Sequence, residues 1–268
     1  MSDAEPKAPL TRADATRESP EEFSAVVEKV RARTPARLLV GRAGAAYRTE
    51  TQLALREAHA AARDAVRAEF KMHAAFDPAF VERFGLFVVR TRARSKDEYL
   101  LRPDLGRQFD SASRAEIKGR CTPAQDLQIA IGDGLSVPAV IAQVPGLLPL
   151  LLEGAAVRGW SVGPMFFVHH CRVGILNEIG EILNPRVAVL LVGERPGLAT
   201  AESLSAYMAY QPRASHTDAK RNLVSNIHAR GLSPSAAATR ILNLAAQMFE
   251  SRLSGYTLRE SPLNPLLG

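Results

Sequence analysis

A nearly continuous apolar run occupies residues 187–192, within the segment 186–198 whose sequence is RVAVLLVGERPGL. Valine and leucine without alternating polar residues are typical of a strand buried on both faces, as in a parallel sheet. The run ends in a charged turn at residues 193–197 that contains glycine and proline. Because open α/β sheets bind ligands at the carboxyl ends of their strands, the pattern predicts a strand that leads into a binding turn. An ordinary strand–loop junction is the alternative.

Elsewhere the apolar positions alternate between a helical and a strand period. Capping patterns and one-sided apolar faces predict helices over residues 20–33, 49–70 and 112–120, from 136 onward, and from 234 to the glycine at 255. Strands are predicted at residues 85–90, 127–131, 160–168 and 187–192, with an edge strand at 207–211 and a glycine-containing loop at 36–48. This order predicts an α/β fold with a Rossmann-like, mostly parallel sheet flanked by helices and an N-terminal helical part. In the helix over 49–70, the residues expected to point inward are Leu53, Ala58, Ala61, Ala65 and Val66.

The pattern divides the chain into three parts. Residues 1–18 are polar, rich in alanine and proline and without an apolar period, so we expect a disordered tail. Residues 19–110 form the N-terminal helical part with a linker, and residues 111–268 form the Rossmann-like domain.

Composition narrows the function classes. The formal net charge is +6, but arginine is interleaved with acidic residues and no basic block with aromatic residues occurs, so nucleic-acid binding is not expected. Cys121 and Cys171 lack metal-ligand spacing and are expected as reduced thiols of a cytoplasmic protein. The most apolar region, residues 137–152, is interrupted by prolines and is shorter than a bilayer span, so no membrane helix is expected.

Two motifs suggest chemistry that the rest of the chain does not support. Residues 132–136 (GDGLS) follow a predicted strand, but Val137 stands where a dinucleotide-binding turn needs its third glycine, which disfavours a free nicotinamide oxidoreductase. His169, His170 and Cys171 are adjacent, and a strand points neighbouring side chains to opposite faces. We therefore expect one buried, hydrogen-bonded histidine and one exposed histidine rather than a metal site or a Cys/His nucleophile.

The turn at residues 193–197 is the stronger candidate. Backbone amides, the Glu194 carboxylate and the Arg195 guanidinium can together bind a polar ligand. Arg213 and the polar segment 218–228, which includes Asn226, add further hydrogen-bonding groups. The sequence shows no nucleophile–base pair here, so these residues indicate a ligand-binding or partner-binding module.

Seven short runs carry a resemblance to a known family. They are GRAG (41–44), YLLRPDLGR (99–107), DGLS (133–136), EIGEIL (178–183), VGERPGL (192–198), ESLSAY (202–207) and SNIH (225–228). In this order they make the chain resemble the small (light) subunit of ethanolamine ammonia-lyase over residues 34–260.

The resemblance implies a lyase that depends on adenosylcobalamin and converts ethanolamine to acetaldehyde and ammonia. It implies a TIM-barrel large subunit that binds substrate and carries the radical chemistry, and a hexamer of such heterodimers. The resemblance also implies that cobalamin keeps its own base on cobalt, and the sequence agrees, because it lacks the D-x-H-x-x-G signature of enzymes that supply a histidine. The small subunit is expected to close over the corrinoid and to perform no proton or radical transfer itself.

The family's cobalamin contacts correspond to Val173 in CRVGI and Glu194 in GERP. A third contact, a cysteine two residues before the serine of SNIH, is Leu223 here, so a thiol-specific role is lost while an apolar contact is retained. Plain strand packing is the alternative for Val173. Leu223 favours the alternative function, a non-catalytic scaffold that no longer binds cobalamin. The family also sometimes occurs in a bacterial microcompartment, but residues 1–18 lack an amphipathic stripe, which favours the free cytoplasm.

Overall fold

The computed structural model describes residues 20–34, 36, 38 and 40–258, so the tail predicted at residues 1–18 lies outside the described residues. The chain forms two units, one up to Arg48 and the other from Thr49 onward.

The first unit contains a helix and a small hairpin. Helix α1 (Pro20–Ala32) confirms the helix predicted over residues 20–33. Strands β1 (Arg42–Ala43) and β2 (Ala46–Tyr47) pair antiparallel within the segment predicted as a loop. The turn between them contains Gly44 at a φ of +62°, a conformation that glycine adopts without strain. Two-residue strands carry too little apolar pattern to be recognised in the sequence.

The second unit contains the sheet and the helices that cover it. Its helices are α2 (Thr49–Arg67), α3 (Met72–Ala75), α4 (Pro78–Arg83), α5 (Lys96–Leu101), α6 (Ser111–Arg120), α7 (Val137–Val157), α8 (Ile175–Leu183) and α9 (Pro234–Ser251). Its strands are β3 (Phe87–Arg90), β4 (Leu127–Gly132), β5 (Phe166–His169), β6 (Val187–Gly193), β7 (Leu204–Tyr210) and β8 (Asn222–Ile227). Single 3₁₀ turns lie at Leu105–Arg107, Asp218–Lys220 and Gly255–Thr257.

The six strands form one sheet in the order β3-β5-β4-β6-β7-β8. The first four are parallel, whereas β7 and β8 are antiparallel to their neighbours. All seven residues of β6 are buried. The predicted α/β fold, with a mostly parallel sheet flanked by helices and a central strand at 187–192, is confirmed.

Two apolar layers fix the sheet between its helices. On one face, α7 and α9 pack against side chains such as Ile131, Val189 and Met208. On the other face, α6 and α8 cover β3 to β6 through side chains such as Phe166 and Leu190. This second layer ends near β6, because α8 packs beneath β6 and the outer strands lie beyond it.

Helix α7 differs from the prediction in a way that concerns membranes. Ser136 caps its N-terminus, since its hydroxyl accepts from the Ala139 amide at 3.3 Å, and the helix continues through Pro145 and Pro149 for 21 residues. Within the described residues it is the one helix long and apolar enough to cross a bilayer, so it is longer than the apolar run of residues 137–152 indicated. Its Leu147 and Leu151 are nevertheless buried in the layer shared with α9, as in a core helix.

The strands β5, β7 and β8 also correct the sequence interpretation. The strand predicted at 160–168 is formed only from Phe166 to His169. The strand predicted as an edge, β7, is an interior strand, because the polar segment after it contains β8. β8 is polar because only its Val224 and Ile227 side chains are buried, so its sequence lacks a clear apolar pattern.

Two helices differ from their predicted details. In α2, Leu53 is 58% exposed although it was expected inside, and Ala65 is buried. An alanine-rich helix has small apolar side chains on every side, so the hydrophobic pattern of its sequence does not identify the buried face. The C-terminal helix ends at Ser251, with Arg252 in the left-handed conformation, before the predicted stop at Gly255.

The strand predicted at 85–90 is β3, the edge strand of the sheet, and it falls within the predicted N-terminal part 19–110. The domain boundary between residues 110 and 111 stays a prediction.

A buried carboxylate joins the carboxyl ends of β4 and β5. Asp133 is fully buried, and its two oxygens accept from the backbone amides of His170 at 2.9 Å and Cys171 at 2.8 Å. The ammonium of Lys96, itself buried, lies 3.7 Å from the same carboxylate. These contacts fix the loop that follows β5.

We expect Asp133→Ala to lower the free energy of unfolding by about 3–5 kcal/mol, because it leaves two amides and the Lys96 charge buried without their partner. Urea unfolding followed by circular dichroism measures the change. The matched control is Asp104→Ala, which removes an exposed ion pair with Arg102 and should barely move the unfolding midpoint. Equal midpoints for the two variants would show that the Asp133 contacts do not stabilise the fold.

Candidate functional site

A cavity of about 420 Å³ lies at the carboxyl ends of β4 and β6. It brings together all three residues that the resemblance implies, Val173, Glu194 and Leu223, from a loop, a turn and a strand. The other lining residues are Tyr99, Gly134, Leu135, Cys171, Arg172, Val192, Gly193, Arg195, Ser205, Tyr207 and Ser225. The predicted binding turn after β6 is therefore one wall of a cavity.

Glu194 is held by the two antiparallel strands beside it. The Ser203 hydroxyl donates to Glu194 Oε2 at 2.7 Å, and the Ser205 hydroxyl donates to Oε1. The backbone amide of Asn226 also donates to Oε1, at 3.1 Å. A carboxylate offers about four acceptor positions, so these three donors orient the group and leave capacity for a ligand donor.

A bulge places the third of these donors. Between the pairs Leu204–Ile227 and Ala206–Val224, β8 contains one residue more than β7. Asn226 takes up the extra length with a φ of +62°, a left-handed conformation that asparagine tolerates better than most residues. Its side-chain oxygen lies 2.8 Å from Nε2 of the buried His228. The bulge thus directs the Asn226 amide toward Glu194.

Val173 and Leu223 provide apolar surface in the same cavity as Glu194. Val173 is half-buried against the layer formed with α8. Leu223 lies opposite Tyr207 on β8 and is 43% exposed, since the covering helix α8 packs beneath β6. The cavity is open on this side of the outer strands.

Of the three residues suggested by side-chain chemistry alone, Arg195 and Asn226 lie at the cavity or bond to its residues, and Arg213 does not. Arg195 lines the cavity and Asn226 bonds Glu194, but Arg213 is absent from the lining. The antiparallel β7 carries the chain to the opposite edge of the sheet, where the Arg213 guanidinium donates to Asn184 and to the Pro212 carbonyl. Its contacts are those of a structural residue.

Tyr99 and Arg172 line the cavity although the sequence did not single them out. The Arg172 guanidinium lies 4.2 Å from the centroid of the Tyr99 ring and donates to the Tyr99 carbonyl at 3.3 Å. The Tyr99 hydroxyl donates to the Cys171 carbonyl at 2.9 Å, and burial raises the pKa of this hydroxyl far above its usual range. Tyr99 begins a matched run and Arg172 lies in the segment CRVGI, but the two are too far apart in sequence for their contact to be recognised there.

Comparison with known proteins places the chain in a family. The family model described as ethanolamine ammonia-lyase light chain matches residues 24–259. The chain belongs to this family. The match confirms the predicted resemblance and makes the chain a subunit of an ammonia-lyase.

Individual relatives agree with the light-chain family. The ethanolamine ammonia-lyase small subunit of Clostridium perfringens is 42% identical over 242 residues, covering 90% of this chain and 80% of the relative. The small subunit of Clostridioides difficile is 43% identical over 230 residues, covering 86% and 76%. That of Listeria monocytogenes serotype 4a is 42% identical over 231 residues, covering 86% and 77%. These relatives are named as small subunits, which implies a larger partner for them.

The structure disfavours the dinucleotide alternative in this light-chain fold. Gly134 has a φ of +56°, and a Cβ there would lie 2.3 Å from the Gly193 carbonyl oxygen. The Ser136 hydroxyl donates to the Ala201 carbonyl. The backbone after β6 therefore fills the space at the start of α7 where a pyrophosphate would bind.

The histidines and Cys171 do not converge on a reaction centre. His170 is buried, with Nδ1 3.0 Å from the Ala93 carbonyl, whereas His169 is half-buried rather than exposed. Burial lowers the pKa of His169 and raises that of the Cys171 thiol well above its usual value. Within the described residues no cluster of three or more His, Cys, Asp or Glu side chains could hold a metal.

We expect neither thiol of the folded chain to react readily with a chromogenic disulfide reagent at about pH 8. Burial raises the pKa of Cys121 to about 11 and that of Cys171 well above its usual value, so both stay protonated at this pH. Denaturation should release both at the rate of ordinary thiols. Fast labelling of Cys171 in the folded chain would restore the nucleophile alternative.

Proposed function

We propose that the chain is the cofactor-holding small subunit of an adenosylcobalamin-dependent ethanolamine ammonia-lyase, which converts ethanolamine to acetaldehyde and ammonia. One observation carries the proposal: Val173, Glu194 and Leu223, distant in sequence, line one cavity at the ligand-binding edge of the sheet. The family and its relatives supply the reaction through their names.

The lining of the cavity fits a corrinoid. The Glu194 carboxylate has spare acceptor capacity for the amide side chains of the macrocycle, and Val173, Tyr207 and Leu223 present apolar surface to it. Nε of Arg172 is buried without a hydrogen-bond partner among the described residues. A bound ligand could supply the missing acceptor. These residues would hold base-on cobalamin, which supplies the radical chemistry when bound.

Within this arrangement the chain binds, orients and excludes water. Glu194 is held by three donors before any ligand arrives, so binding requires little reordering of the side chain. The chain contributes no proton-transfer group to the proposed role. A reactive cofactor needs a wall that keeps solvent away, and a second chain over the corrinoid would supply the remainder.

The large catalytic subunit is the proposed partner on the open side of the cavity. Leu223 and the neighbouring face of β8 remain exposed there. A TIM-barrel partner that covers this face would enclose the corrinoid between two chains, and we propose a hexamer of such heterodimers. A cytoplasmic location is proposed, with a bacterial microcompartment as the alternative. No membrane or nucleic-acid role forms part of the proposal.

A scaffold that has lost cobalamin binding is the second candidate function, and Leu223 is the observation that favours it. The resemblance implies a cysteine at this position, and the leucine keeps a side chain in the cavity wall. Mixing the chain with the large subunit and adenosylcobalamin separates the candidates. A shifted corrinoid absorbance with ammonia release supports the proposed function. An unchanged spectrum from an assembled complex supports the scaffold.

We expect Glu194→Gln and Glu194→Ala to weaken adenosylcobalamin binding to the assembled complex by about 1–3 kcal/mol, or roughly 5- to 150-fold, through loss of a charge-assisted hydrogen bond. Titration followed by corrinoid absorbance measures the affinity. Glutamine preserves one acceptor and the size of the side chain, so it should lose less affinity than alanine.

The matched control is Glu153→Gln, which changes an exposed carboxylate on α7. The melting temperature of each complex separates lost binding from lost stability, because Ser203 and Ser205 lose their acceptor in the alanine variant. Unaltered affinity in both Glu194 variants would make this residue structural.

A further inference from the structure

A second cavity, of about 480 Å³, lies beside the first, between α2 and the turn that follows β6. We call it the basic groove. Its side chains with polar ends are His59, Arg63, Arg67, Arg172 and Arg195, and its remaining lining is apolar or glycine. None of these lining residues, all of them described in the structure, is an aspartate or a glutamate.

Most of the charge in the basic groove is not neutralised by any residue that the structure describes. Arg67 pairs with Asp97 at 2.9 Å on the surface. Among the described residues, Arg63, Arg172 and Arg195 form no ion pair. Clustered guanidinium groups repel one another, so this arrangement favours an anionic ligand.

Arg172 is the fixed member of the group. Its guanidinium stacks 4.2 Å from the centroid of the Tyr99 ring, and its Nε is buried without a hydrogen-bond partner among the described residues. A buried donor without an acceptor is costly, and a bound anion would remove that cost. The groove therefore contains one orphaned donor in addition to its uncompensated charge.

The basic groove and the proposed corrinoid cavity share three lining residues, Leu135, Arg172 and Arg195. A molecule held against Glu194 can therefore extend past these shared residues into the groove. The side chains of the corrin ring are neutral amides, whereas the nucleotide loop of cobalamin contains a phosphodiester, which is an anion. The planar fork of arginine matches phosphate oxygens through paired hydrogen bonds.

We propose that the basic groove binds the phosphodiester of the cobalamin nucleotide loop through Arg63, Arg172 and Arg195. This inference rests on the proposed function, since it concerns the same ligand. It adds a second contact point on the ligand, and it assigns helix α2 a part in cofactor binding. The shared wall favours this occupant over an acidic segment of the partner subunit.

The test compares two probes on the complex with the large subunit. Cyanocobalamin carries the nucleotide loop, and dicyanocobinamide lacks the loop and its phosphate. We expect Arg63→Met and Arg195→Met each to weaken cyanocobalamin binding about 5- to 30-fold, because solvent weakens the hydrogen bonds of these exposed arginines to a phosphate. The affinity for dicyanocobinamide should stay within about twofold. Equilibrium dialysis with corrinoid absorbance measures both affinities.

Added salt should weaken cyanocobalamin binding more in the unchanged complex than in the Arg63→Met/Arg195→Met double variant.

The controls separate the remaining outcomes. Lys118→Met removes an exposed cation outside both cavities and should change neither affinity, and melting temperatures report folding of every variant. Arg63→Lys keeps the charge without the fork and should retain part of the affinity. Equal losses for both probes overturn the proposal, because the arginines then contact the corrin itself. Unchanged binding of both probes with weaker subunit association also overturns it, in favour of an acidic segment of the partner.

Failure of the proposed function has a different signature. If the unchanged complex binds neither probe, the corrinoid-holding role is wrong. If it binds cyanocobalamin and responds to Glu194→Gln but not to the arginine variants, only the assignment of the basic groove is wrong.

Discussion

The buried carboxylate of Asp133 is the contact on which the geometry of the site depends. It stands at the end of β4 and accepts from two amides of the loop after β5, while the buried ammonium of Lys96 balances its charge. The loop so fixed carries Arg172 and Val173, which line the cavity. A charged pair inside the protein is a weak source of net stability but a strong constraint on where its partners lie. The cavity residues on this loop are thereby held in place by the sheet.

The change from parallel to antiparallel pairing at β6 creates the open part of the site. Parallel strands require helices on both faces, whereas antiparallel strands can leave one face uncovered. β7 and β8 therefore expose Leu223 beside the covered strands, and they supply the hydroxyls and the amide that hold Glu194. A single switch in strand direction thus provides donors that orient Glu194 and leaves Leu223 on an exposed face of the sheet.

The sequence predicts the parts of this fold that are buried on two sides or marked by caps. β6 is recognisable because every residue is buried, and α7 and α9 because Ser136 and Ser233 cap them. β8 is not recognisable, since half of its side chains are exposed. Within the site, family motifs lead to Val173, Glu194 and Leu223. The stacking of Arg172 on Tyr99 and the displacement of Arg213 to the opposite edge depend on tertiary contacts that no local pattern encodes.

The bulge at Asn226 has a consequence for how the binding surface can diverge. Because one left-handed residue absorbs the extra length of β8, the pairing of Leu223 with Tyr207 and of Val224 with Ala206 stays regular. Side chains at position 223 are therefore interchangeable without shifting the acid nearby. A residue of different chemistry at this position would alter the surface of the cavity and leave the architecture around it intact.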